Sequence, residues 1–171
     1  MFTKAGLKDV PELCEMFFEE IRSHTSYISH GEMQMGIADS NGHILAPAEE
    51  RWKKYIRRKI MNRQREYPSV VLKYEKDGQI AAFGVFMVTD DENDKFGVAC
   101  DMIVRPAYRG QGFGRKLLDA GVKWFKMMGI EDVYLESGIE NHNAHAFFEK
   151  YGFKKTSYIF NLQLKNKSNQ K

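Results

Sequence analysis

Residues 104–115 read Val-Arg-Pro-Ala-Tyr-Arg-Gly-Gln-Gly-Phe-Gly-Arg, and the glycines Gly110, Gly112 and Gly114 divide an apolar run from an amphipathic one. Upstream, Phe96 to Val104 has the apolar alternation of a strand. Downstream, Leu117, Leu118, Gly121, Val122 and Phe125 share one helical face until Gly129 stops the pattern. A strand that runs through a glycine-rich turn into a helix is an anion site in outline. Glycine lets consecutive amides face inward, and the unbonded amides and dipole of a helix start favour negative charge. Arg109 and Arg115 add positive charge at either end of the turn.

Three phosphate-binding loops compete for this pattern. A P-loop needs Lys and then Ser or Thr after its last glycine, whereas the chain continues Arg115-Lys116-Leu117. A dinucleotide fold fits better, because Gly112 and Gly114 open a helix after a strand and Glu136 follows about twenty residues on, where a ribose ligand belongs. Leu117 nevertheless stands in the place of its third glycine. The chain before the turn also opposes it. Ser69 to Glu75 and Ile80 to Thr89 alternate on either side of Asp77-Gly78, a hairpin signal, and a polar turn from Asp90 to Lys95 leads into Phe96. Three such strands predict an antiparallel meander rather than parallel crossovers.

Working further outward, Asp9-Val10-Pro11 opens a helix to about Ser23, followed by a long loop from His24 to Pro47 with room for a short helical turn. A basic helix runs from Ala48 to Arg63, its Arg51, Lys54, Arg57 and Arg58 set against Trp52, Tyr55, Ile56 and Ile60. Its charged side reads first as a solvated face and second as a docking face for an acidic partner. After the glycine turn come a strand at Asp132 to Ser137, a helix capped by Asn141 or Asn143 and ended by Gly152, and a final strand or hairpin from Phe153 to Leu164. The fold class is α/β in the α+β sense: a mixed, mostly antiparallel central sheet flanked by helices, in the order β-α-α-β-β-β-α-β-α-β. One domain is expected over residues 1–171, with strand, helices and loop in 1–66, a core in 67–164 and a polar tail in 165–171.

Composition bounds the function classes. With 43% apolar and 29% charged residues, no stretch approaches the roughly 18 unbroken apolar residues of a membrane span. The start lacks the pattern of a secretory leader, so a cytoplasmic protein without membrane contact is expected. Cys14 and Cys100 lie in apolar patterns and read as buried small hydrophobes, and His142 and His145 find no further ligand at a familiar spacing, so no metal is assigned. A net charge of +3 is too mild to call for nucleic acid. The oligomeric state stays open, a homodimer included.

Val104, Pro106, Tyr108, Arg109, Gly110, Gly112 and Gly114, at their spacing, resemble the acetyl-CoA loop of the GNAT superfamily of N-acetyltransferases. A second block, Leu135-Glu136, Asn141, Ala144 and Phe147-Phe148-Glu149-Lys150-Tyr151-Gly152-Phe153, is similar to that family's C-terminal helix motif. The resemblance covers about Ser69 to Phe160. It implies transfer of an acetyl group from acetyl-CoA to a primary amine, of a small molecule or a peptide, by direct attack within a ternary complex. It further implies that Met102, Ile103 and Val104 part from the neighbouring strand and offer backbone hydrogen bonds to the cofactor's pantetheine arm. The pyrophosphate falls to Arg109, Gly110, Gln111, Gly112, Phe113, Gly114 and Arg115, and the thiol end to Asn141 and the position of Phe148.

The resemblance makes Glu136 the candidate base, since it matches the strand glutamate of ribosomal-protein alanine N-acetyltransferases; a surface carboxylate is the alternative reading. Asp101 is the second candidate, at a place where other members carry a glutamate or histidine, but its parity opposes Cys100 and Met102 unless a bulge re-aims it. Phe148 departs from the family's usual tyrosine and has no proton to give the leaving thiolate, leaving Tyr151, Ser137 or water. Tyr27 and His30 are candidate acceptor contacts in the long loop, with Met33, Met35 and His43, although any single one of them reads first as a side chain tucking the loop onto the core. A nucleotide-dependent oxidoreductase using NAD or NADP and a non-catalytic CoA-binding sensor stay as alternatives.

Overall fold

Strand β3 (Gln79–Asp90) is apolar on both faces, and both are covered. Ile80, Phe83 and Val85 point one way and Phe86 and Val88 the other, so the strand can only sit inside a sheet sandwiched between helices. In a computed structural model that describes residues 1–62, 67–90, 94–162 and 164, it does. The sheet has five strands in the order β1 (Thr3–Lys4), β2 (Ser69–Lys76), β3, β4 (Lys95–Val104) and β5 (Val133–Leu135). The first four are antiparallel neighbours and β5 lies parallel to β4.

Helix α1 (Val10–Ser23), the short α2 (His30–Gln34) and α3 (Ala48–Met61) precede the meander. α1 and α3 bury Leu13, Phe17, Trp52 and Ile56 against one sheet face. α4 (Phe113–Met127) buries Leu117 and Phe125 against the other, where Gly121 lets it come close: a Cβ there would fall 2.2 Å from the Phe86 ring. α5 (His142–Tyr151) is the last helix or strand among the described residues and has no buried residue. The fold class read from the sequence holds. The short helical turn allowed for in the long loop is α2, held by Glu32, which accepts from both the amide and the hydroxyl of Ser29 at 2.7 and 2.6 Å.

Besides shifts of one or two residues at other element ends, two expectations change. α3 stops at Met61 because Asn62 turns left-handed, φ 46°, and its side chain accepts from the Ser69 amide at 2.7 Å; the expected end at Arg63 lies outside the described residues. The strand or hairpin expected at Phe153 to Leu164 does not form among the described residues of that segment. Its alternation is real, but a strand exists only with a ladder partner, and the segment is exposed from Lys154 to Leu162 and at Leu164. Among the described residues, no helix is long and apolar enough to cross a membrane.

Candidate active site

Strands β4 and β5 run together for only three residues, Gly97 beside Val133, Val98 beside Tyr134 and Ala99 beside Leu135. β5 then ends, while β4 continues to Val104, still paired on its inner side with Ala82 of β3. Past Ala99 the outer edge of β4, which includes Met102, Ile103 and Val104, therefore parts from its neighbour. Beyond Val104 a turn at Pro106–Tyr108 leads to Gly110 and Gly112, both left-handed at φ 74° and 79°. A Cβ at either would meet nothing within 4 Å, so the backbone angle rather than crowding calls for glycine. The Arg109 amide bonds Pro106 O and the Lys116 amide Gly112 O, each at 3.1 Å. Among the described residues, the amides from Gly110 to Arg115 have no backbone acceptor outside α4, and Phe113 to Arg115 form its first turn, where amides lack intrahelical partners. Phe113 is buried against Tyr74, centroids 4.8 Å apart, which fixes the start of the helix. The arrangement suits a phosphate or pyrophosphate.

The charges near this turn differ from those the sequence suggested. The Arg109 guanidinium donates to Glu20 of α1 and, through Nε, to Val104 O at 3.0 Å. Arg115 lies 3.9 Å from Asp119 and stacks 4.8 Å over the Tyr151 ring. Lys76, not singled out by sequence, reaches Gln111 Oε1 at 3.3 Å from the end of β2. The meander was the available signal, since it brings the β2–β3 hairpin to the same end of the sheet as Val104. Beside the turn, a cleft of about 330 Å³ separates the end of α1, at Glu20 and His24, from Ile103 and Arg105.

The loop of candidate acceptor contacts crosses the end of β5. His30 Nδ1 lies 3.6 Å from Glu136 Oε1, and the other Glu136 oxygen lies 3.6 Å from where Gly31 would carry a Cβ. The carboxylate is thus half-exposed and turned toward α2, which brings two sequence-predicted residues together. Tyr27 stacks on His24 at 4.6 Å, and its carbonyl presses on Gly138, where a Cβ would fall 2.3 Å from that oxygen. Gly138 was not anticipated; no local pattern marks a glycine whose constraint comes from a distant backbone. Met33 and Met35 pack on the α1/α3 core, and His43 lies exposed beside Asp39, 3.1 Å away, so these three do not join the group.

Asn141 Oδ1 caps α5 by accepting from the Ala144 amide at 3.2 Å. Phe148 is half-buried between Phe147 and Phe153, at 5.2 and 5.8 Å. Tyr151 donates to Asp119 at 2.8 Å, and burial and that carboxylate push its pKa up to about 12.

Asp101 faces α3, and the reason is a β-bulge. Val85 pairs with Asp101 and Phe86 with Ala99, so Cys100 is an extra residue and the alternation of β4 reverses across it. Ala99 and Met102 pack toward α4, whereas Cys100 and Ile103 pack toward α1 and α3. Asp101 shares the side of Cys100, contrary to simple parity, and its Oδ2 accepts from Tyr55 at 3.1 Å. Burial, with Glu32 nearby, raises its pKa to about 7 against the opposing pull of Tyr55 and Lys59. Burial and the adjacent Asp101 push the Cys100 thiol up to about 11.

The acetyltransferase (GNAT) family model matches residues 34–153, more than half of the chain. The chain belongs to this family. It is 35% identical over 78 residues to the [ribosomal protein bS18]-alanine N-acetyltransferase of Escherichia coli, an alignment covering 46% of this chain and 50% of that one. The chain thus spans about half the length of the curated relatives it matches. Among solved structures, a Clostridium acetobutylicum protein with acetyl-CoA, described as a predicted acetyltransferase, superposes with a TM-score of 0.69 at 21% identity over 96% of both chains. An aminoglycoside 6'-N-acetyltransferase from Acinetobacter haemolyticus does so with a TM-score of 0.69 at 15% identity, covering 97% of this chain and 99% of that one. At such identities the structural matches establish the fold.

Proposed function

We propose that the chain is an N-acetyltransferase that moves an acetyl group from acetyl-CoA to a primary amine held between α2 and the end of β5. The observation that carries this reading is the parting of β4 from β5 beside an open glycine turn, because it sets a free strand edge and a set of turn amides along one line. The amides of Gly110 to Arg115 and the Lys76 ammonium bind the pyrophosphate, and the backbone of Met102 to Val104 aligns the pantetheine arm. Acetyl-CoA, when bound, supplies an acetyl thioester with a thiolate leaving group.

Attack requires a neutral amine. Deprotonation at pH 7 costs about 4.6 kcal/mol for a lysine-type amine but only about 1 kcal/mol for an α-amine. Glu136 takes the proton as the amine attacks, with His30 orienting its carboxylate, and Asp101 is a buried secondary base behind Tyr55. A peptide α-amine is the acceptor class favoured, since it asks least of a half-exposed carboxylate and is the chemistry for which the E. coli relative is named. Small-molecule amines compete in the same assay.

Phe148 favours one other reading, a CoA-binding sensor, since no phenol stands at that place and the Tyr151 hydroxyl is already given to Asp119. Melting the protein with acetyl-CoA, CoA, NAD and NADP, then following thiol release with a panel of peptide and small amines, tests both readings. Stabilisation by CoA species alone with amine-dependent thiol release is expected. Stabilisation without release makes the chain a sensor, and stabilisation by NAD or NADP alone overturns both.

A further inference from the structure

The basic side chains around the glycine turn fall into two groups. The arginines are already engaged: Arg105 meets Glu12 and Glu19 of α1 at 3.2 and 3.4 Å, Arg109 is tied to Glu20, and Arg115 lies beside Asp119. Lys76, the last residue of β2, and Lys116, in the first turn of α4, have no carboxylate partner among the described residues. Both ammoniums lie instead over the ring of Phe113, 5.8 and 5.7 Å from its centroid. Asp77, next to Lys76, accepts from the Tyr108 hydroxyl at 3.3 Å. Lys76 also donates to Gln111 Oε1 at 3.3 Å, and Gln111 donates in turn to Ala107 O at 3.2 Å, which fixes this ammonium at the rim of the turn. Two like charges about one ring repel each other, and a ring face attracts them only weakly, so the arrangement calls for an anion between them.

We infer that Lys116 and Lys76 form a second anion subsite beside the turn, which takes the phosphate monoester on the ribose of CoA and so selects CoA over its dephosphorylated form. The inference rests on the CoA reading above and adds to it the end of the cofactor farthest from the chemistry. CoA carries a pyrophosphate diester and, at the 3′ position of the same ribose, a monoester of about −1.5 to −2 charges at pH 7. The turn amides suit the first. Two ammoniums, each with three donors, match the charge of the second. Because one sugar joins the two phosphates, the monoester must bind close beside the amide cradle. Lys76 touches the turn through Gln111 and stands at that border, where it serves both phosphates. Lys116 follows the cradle directly, its own amide bonded to Gly112 O at 3.1 Å, and faces the monoester alone.

The test is calorimetric titration of the full chain with CoA and with 3′-dephospho-CoA at about 50 mM salt, where exposed charges are little screened. The parent is expected to bind CoA about tenfold more tightly than the dephospho form. Lys116→Gln is expected to narrow that preference to about threefold or less by weakening CoA alone, with the affinity for 3′-dephospho-CoA unchanged, and Lys116→Arg to keep it. Lys116 is exposed, so both variants fold as the parent does by circular dichroism. Equal affinity for the two ligands in the parent overturns the inference and leaves the CoA reading standing, as does a preference that Lys116→Gln does not change. A parent that binds neither ligand overturns the CoA reading and this inference with it.

Discussion

Tyr55 of α3 donates its phenol to Oδ2 of Asp101 at 3.1 Å, across the bulge in β4. The carboxyl there is buried and titrates near 7, above its ordinary 3.8. Folding thus raises the pKa, so the native state keeps a proton that the unfolded chain has released. Stability from this group is complete below about pH 4 and declines as pH rises toward 7, by at most about 1.4 kcal/mol per pH unit. Asp101→Asn is expected to flatten that part of the curve, seen as a melting temperature that changes less between pH 4 and 7 than in the parent. An unchanged slope would place the titration elsewhere.

Glu136 meets His30 at the end of β5. As the base, it makes Glu136→Gln about 10²- to 10⁴-fold slower at neutral pH, with acetyl-CoA binding by calorimetry little changed. The deficit shrinks as pH rises toward the pKa of the amine, which then deprotonates unaided. Equal rates in parent and variant remove Glu136 from the chemistry.

Phe148 sits between Phe147 and Phe153 in a half-buried position. Phe148→Tyr adds a proton donor there and is expected to raise turnover several-fold while leaving CoA affinity alone. A thiol of pKa about 8.5 departs tolerably as its anion, which limits the gain. Stopped thiol-release assays on both proteins read it directly.

Arg109 is tied to Glu20 and so is shared between α1 and the turn. Glu20→Gln releases it toward a bound phosphate and is expected to tighten CoA binding about threefold at low salt, an effect that fades as salt screens the site. Weaker binding in the variant would mean that Glu20 holds the turn in shape.

Gly138 bears on the backbone carbonyl of Tyr27, which cannot swing aside as a side chain would. Gly138→Ala is expected to lift the loop from the end of β5 and raise the acceptor KM about tenfold or more, with the KM for acetyl-CoA unaffected. Parallel changes in both constants would indicate general loosening instead.

The turn at Gly110 to Gly114 could be read in the sequence because every requirement of an anion cradle is local: glycine, a strand before it and a helix after it. The meander was equally legible, since alternation and Asp77-Gly78 leave few other arrangements. Asp101 was not, because parity along β4 is lost at an inserted residue that has no signature of its own. Arg109 was assigned to phosphate from its neighbours in sequence, but Glu20, brought by the packing of α1, takes its guanidinium. Phe153 to Leu164 has the pattern of a strand, yet pattern names a tendency and only pairing makes a strand. Lys76 and Gly138 owe their places to contacts across the fold.

The bulge at Cys100 makes β4 two half-strands of opposite phase, and this separates the effects of changing a residue from those of changing length. Replacing Cys100 with another small side chain leaves both phases intact. Deleting it would close the bulge and leave Ala99 opposite Phe86 and Asp101 opposite Val85, so the Asp101 carboxyl would still face Tyr55 while the local kink in β4 was lost. The extra residue at Cys100 can therefore be lost without exchanging the faces of β4, and an alignment with a shorter relative keeps like faces together only if it opens its gap there.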